Sequence, residues 1–153
     1  MQIIAKISII IIFLLINISC NDINPCGDGV LASTGPPVFE LKIADKTTGE
    51  NLITNGTYAA NQITITDING KNIEYFFAHE NQRNTFRIMP QSTLNDVGIK
   101  KILFKIDPLI VIELEVNIYE GRGECFVNYF ARDYKSLNYP YEVTNEGLLI
   151  VKL

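Results

Sequence analysis

Between residues 109 and 120 the chain reads LIVIELEVNIYE, and no other stretch restricts its fold so tightly. Ile110, Ile112, Leu114, Val116 and Ile118 fall on one face, and Glu113, Glu115 and Asn117 on the other. Successive side chains of a strand point to opposite faces, so this pattern makes a sheet with one dry side and one wet side. At helical spacing the same isoleucines would be scattered around the whole circumference. One-sided alternation also favours antiparallel neighbours, because a parallel sheet is covered on both faces.

The same period returns along the rest of the chain. VFELKI sets Phe39, Leu41 and Ile43 against Glu40 and Lys42, and TFRIM sets Phe86 and Ile88 together. IKKILFKI aligns Ile102, Phe104 and Ile106 before Asp107-Pro108 interrupts, since proline offers no ladder donor. QITIT and NIEYFFAHE flank Asn69-Gly70, a pair that accepts positive φ at both turn positions and so predicts a hairpin. PQSTLNDVG reads as a loop and Gly121-Arg122-Gly123 as a turn, with ECFVNYF and GLLIVKL as the last strands. No stretch carries the 3.6-residue stripe of a long helix. Seven to nine short strands over residues 38–153 predict an all-β, antiparallel β-sandwich of immunoglobulin- or transthyretin-like type; a small closed β-barrel is the alternative.

The first 19 residues follow a different rule. Lys6 precedes an apolar run from Ile7 to Ile18, 12 residues long, where a spanning helix needs about 20. A short apolar run after a positive start fits a secretory signal. No A-x-A-like pair marks a general cleavage site, whereas Ile18-Ser19-Cys20 is similar to the end of a bacterial lipoprotein signal. That similarity implies cleavage before Cys20 and acylation of its thiol and new amino terminus. Two or more acyl chains hold a protein on a membrane without a spanning helix. Residues 20–37, CNDINPCGDGVLASTGPP, are too poor in apolar side chains to fold alone and read as a flexible tether.

Taken together, INISC, the opening FELKIADKTTGENLI and the late GEC resemble the plan of small Bacteroidota lipoproteins: a lipoprotein signal, a Cys-containing tether, then a sandwich of immunoglobulin or transthyretin type. The resemblance implies a place in the cell envelope and a fold, and no activity. Surface-exposed members of this group often carry an acidic run after the lipidated cysteine. Here Asp22 stands alone, which implies the periplasmic face of the outer membrane.

Charge and cysteines narrow the partners. Residues 1–19 hold one cation and no carboxylate, so the 13 cations and 17 carboxylates of the chain become 12 against 17 after cleavage. A nucleic-acid partner would need a clustered basic face, so none is expected. With Cys20 lipidated, Cys26 and Cys125 are left as a disulfide pair in an oxidising compartment, or as two unrelated thiols. No C-x-x-C spacing suggests a metal, and no cofactor is expected.

Catalytic motifs are equally sparse. His79 is the single histidine and stands at a strand end. Glu113 and Glu115 share a strand face, which a solvated surface explains. Asp67-Ile68-Asn69-Gly70 resembles the start of a calcium loop but lacks the later ligands. Asn55-Gly56-Thr57 fits a glycosylation sequon that has little meaning in a bacterial envelope protein.

One stretch suits recognition. NYFARDYKSLNYPY packs Tyr129, Tyr134, Tyr139 and Tyr141 beside Arg132 and Lys135, and tyrosine gives broad contact area with a polar tip. Either these tyrosines cover the core edge or they form a binding surface. The expectation is a non-enzymatic, lipid-anchored envelope protein that uses its sandwich for protein–protein interaction or assembly. A glycan-binding lipoprotein is the alternative, and an extracytoplasmic hydrolase a remote one.

Overall fold

The computed structural model describes residues 35–79, 83–90, 97–123 and 125–153, together with the backbone of Ala32 and Ser33. Cys20, Cys26, the signal segment, most of the tether and the centre of the expected loop after Pro90 lie outside the described residues. The strands are β1 (Ala32–Ser33), β2 (Phe39–Ala44), β3 (Thr64–Asp67), β4 (Glu74–Ala78) and β5 (Thr85–Met89). They continue with β6 (Gly98–Lys105), β7 (Val111–Arg122), β8 (Phe126–Ser136), β9 (Tyr141–Val143) and β10 (Leu148–Lys152). The single helical turn among the described residues is a 3-10 turn at Ala60–Gln62.

Two five-stranded sheets face each other, the first in the order β1-β8-β7-β6-β3 and the second β4-β5-β2-β10-β9. Neither closes on itself, so the chain forms a sandwich and not a barrel. The core lies between the sheets and follows the alternation closely. Phe39, Leu41 and Ile43 of β2 are buried against Ile112, Leu114, Val116 and Ile118 of β7, with Phe86, Ile102, Phe104, Leu149 and Val151 between. The Phe86 and Phe104 rings meet edge-on at 5.1 Å. Each such side chain contributes about 1.5–3 kcal/mol relative to exposure. The opposite face of β7 keeps Glu113 exposed and Glu115 and Asn117 half-buried.

Most neighbours are antiparallel, as β6–β7 is from Gly98↔Ile118 to Lys105↔Val111. Two pairings are parallel and join segments remote in sequence. β2 lies beside β10, Leu148↔Glu40 to Lys152↔Ala44, and β1 lies beside β8, Ala32↔Phe126 and Ser33↔Val127. β1 therefore falls inside the stretch that reads as tether, and Pro37 is buried. Two paired residues are too few to show any period.

The turn at Asn69-Gly70 forms, with Gly70 at φ +83°. The Asp67 carboxylate accepts the amides of Asn69 and Lys71, each at 2.8 Å. The expected hairpin stops there. After the bridge Thr66↔Asn72 the chain leaves its partner: β3 pairs with β6, whereas β4 pairs with β5 in the other sheet. The turn thus carries the chain from one layer to the next. The turn read at Gly121-Arg122-Gly123 also moves, because Gly121 and Arg122 are still in β7 and the Gly123 amide closes the reversal onto the Phe126 carbonyl at 2.9 Å.

The sheet margins are guarded. β8 carries one extra residue opposite Glu115–Asn117, with Asp133 at φ +53°. A bulge and charged side chains on an edge discourage pairing with a second chain, and so does the shortness of β9.

Candidate functional site

The long β7–β8 ladder presents the outer face of the first sheet, and that face divides into two ends. At the far end the side chains are charged: Glu115 and Lys135 stand opposite each other and pair at 2.6 Å, with Lys101 beside them on β6. The Glu115 carboxylate holds the Lys135 ammonium above its usual pKa of 10.5. At the reversal end the side chains are apolar. Phe126 is 44% exposed, Phe130 40%, Tyr119 42% and Ile99 62%. Val97 follows the same pattern at the start of β6.

Two glycines shape this apolar end. A methyl group on Gly121 would lie 2.8 Å from Phe130 Cε2, and one on Gly123 would lie 2.6 Å from Phe126 Cζ. The Phe130 ring therefore lies over the end of β7 and the Phe126 ring over the reversal just after it, in the space that the missing side chains leave. Aromatic rings covering cross-strand glycines restore contact area that glycine itself lacks. Above Phe130 sits the Arg132 guanidinium, 5.4 Å from the ring centre. The Tyr119 hydroxyl donates to the Asp133 carboxylate and accepts from Asn117 Nδ2 at 2.6 Å. Its bond to Asp133, with desolvation second, holds Tyr119 above the usual phenol pKa of 10.0.

The six residues expected to form a recognition surface do not share one surface. Tyr129 points into the core. Tyr134 stacks on Phe39 with centroids 5.3 Å apart and donates its hydroxyl to the Ala131 carbonyl; burial pushes its pKa up from 10.0. Tyr139 is half-buried against the core. Arg132, Lys135 and Tyr141 are exposed. Arg132 and Tyr134 line a cleft of about 600 Å³ where the β8 bulge faces the β9–β10 turn, with Asp133, Val143 and Glu146 as further walls. Tyr141 and Val143 stand on the adjoining edge strand, each 44% exposed.

A second cleft, of about 460 Å³, opens beside the Asn69-Gly70 turn between Lys71, Glu74, Ile99 and Lys101. Asp67 borders it with its carboxylate already committed to the turn amides. Neither cleft is lined by His79, whose ring meets Phe77 edge-on at 4.7 Å. No group of three metal-ligating side chains occurs among the described residues, and no helix among them is long and apolar enough to cross a membrane.

Cys125 sits in the reversal between β7 and β8 and is disulfide-bonded. Its partner lies outside the described residues, where the sequence holds Cys20 and Cys26. The residues that sequence reasoning missed are Phe126, Phe130 and Tyr119. The available signal was Gly121-x-Gly123 at the end of a strand, where the absent side chains leave room for the Phe130 and Phe126 rings. Comparisons with protein-family models, with curated proteins and with solved structures find no match for this chain.

Proposed function

We propose that this chain is a lipid-anchored protein of the cell envelope, attached through Cys20 at the periplasmic face of the outer membrane, whose sandwich is a non-enzymatic module that binds another protein. The observation that carries the reading is the disulfide at Cys125, because such a bond persists in oxidising compartments and is rare in reducing ones. It supports export, and the INISC signal supplies the means of attachment.

Partner binding draws its support from the cleft between the β8 bulge and the β9–β10 turn. Asp133 and Glu146 bring carboxylates to its walls, beside exposed Tyr141 and Val143. An aromatic anchor flanked by charges is the composition of a binding hot spot.

Two experiments test the two halves. Metabolic labelling with a palmitate analogue is expected to mark the wild-type protein and not Cys20→Ala, and label persisting in the variant would refute the anchor. A photo-cross-linking residue at position 141 is expected to give one discrete adduct in intact cells, lost in Val143→Asp. Adducts that survive Val143→Asp unchanged would refute the binding edge.

A further inference from the structure

We infer that the apolar end of the first sheet's outer face, formed by Val97, Ile99, Tyr119, Phe126 and Phe130, rests on the interface of the lipid bilayer. The inference relies on the anchored reading above and adds the orientation of the domain.

Where the chain joins the domain carries the argument. β1 seats Ala32 and Ser33 directly beside Phe126 and Val127, so the leash from Cys20 arrives at this end of the sandwich. The twelve residues from Cys20 to Ala32 reach at most about 40 Å. The disulfide shortens that leash. With Cys20 lipidated, Cys26 is the cysteine left to bond Cys125, and six residues reach about 20 Å. They end one position from Phe126. Leu109 and Leu137, also exposed, stand near the opposite ends of β7 and β8 and are not held this way.

The side chains suit that position. Aromatic rings with a polar tip settle at the headgroup level, and a long cationic side chain reaches phosphate while its stem stays apolar. Tyr119 supplies such a tip, its hydroxyl tied to Asn117 and Asp133, and Arg132 is exposed with its guanidinium over the Phe130 ring. The charged end of the same face, Lys101, Glu113, Glu115 and Lys135, stays in water.

The chain contains no tryptophan, so a single introduced indole reports its own surroundings. Mature protein purified from the cells that make it is reconstituted into phosphatidylethanolamine–phosphatidylglycerol vesicles, with or without bromine on the acyl chains close to the headgroups. Brominated lipid is expected to remove about half or more of the emission of Phe130→Trp, against less than about a tenth for Phe76→Trp on the other sheet's outer face. Ile99→Trp, at a position 62% exposed, gives the same reading without disturbing a packed ring. Equal quenching at positions 76 and 130, or none in protein that floats with the vesicles, overturns the docked face and leaves the anchor standing. A blue shift at 130 without quenching places a second copy over the face and overturns it too. Protein that fails to float overturns the anchored reading, and this orientation with it.

Discussion

A methyl group at Gly121 separates two small opposing effects. Alanine restricts the unfolded chain more than glycine, which favours the folded strand by about 0.5–1 kcal/mol. It also lifts the Phe130 ring off β7, 2.8 Å being too close, and a lost cross-strand contact costs about 0.2–1 kcal/mol. Gly121→Ala is therefore expected to leave the unfolding free energy from urea titration within about 0.5 kcal/mol of wild type while changing the environment of Phe130. Nuclear magnetic resonance of the ring protons checks the second half. Asp45 gives a prediction in pH. Its carboxylate accepts the amides of Thr48 at 2.7 Å and Thr47 at 2.8 Å, and these bonds hold its pKa below the usual 3.8. A carboxyl depressed in the folded state stabilises it above the unfolded pKa, and that contribution fades as pH falls through the folded value. Asp45→Ala is accordingly expected to lower the urea midpoint at pH 7 and to converge on wild type as pH falls through the depressed folded pKa. A gap that stays equal as pH falls would contradict the assignment.

At the scale of the strand, burial decides the outcome. Leu114 is fully buried between the sheets, and Leu109, five residues earlier, is 91% exposed. Leu114→Ala is expected to cost about 2–5 kcal/mol and Leu109→Ala less than about 0.5, read from chemical denaturation. The contrast was legible in the sequence, because alternation names the inward residues of β7 outright. The same rule gave the inward faces of β2, β5 and β6, each ending close to where a turn residue stands. What it did not give was pairing. Asn69-Gly70 makes a reversal wherever it occurs, but whether the strands on either side stay together depends on which sheet can bury Tyr75 and Phe77, a fact of tertiary packing. The tyrosines of 128–141 show the same limit. The bulge at Asp133 shifts the register of β8, so strict alternation misplaces side chains beyond it, and Tyr134 turns in to Phe39. β1 was invisible for a simpler reason, since two residues held by a parallel neighbour carry no pattern.

Across the whole molecule the first and last strands among the described residues are both paired within the sheets. β2 and β10 lie side by side in the second sheet, and the chain first joins the first sheet next to the β7–β8 reversal that carries Cys125. A bond between Cys26 and Cys125 closes a loop of about 100 residues, which in the chain-entropy model contributes about 4–5 kcal/mol. Cys125→Ala is expected to lose stability on that scale and, with Cys20 anchored as proposed, to lengthen the leash from membrane to domain. Loss below about 1 kcal/mol would show that strain or residual structure offsets the constraint. All of this depends on how three cysteines are divided between lipid and disulfide. The most direct measurement is a non-reducing peptide mass map of the protein extracted from membranes. The account predicts an amino-terminal peptide that begins at Cys20 and carries acyl chains, together with a linked pair containing Cys26 and Cys125. An unmodified peptide that runs uncut across the Ser19–Cys20 junction, or a linked pair containing Cys20 and Cys125, would contradict it.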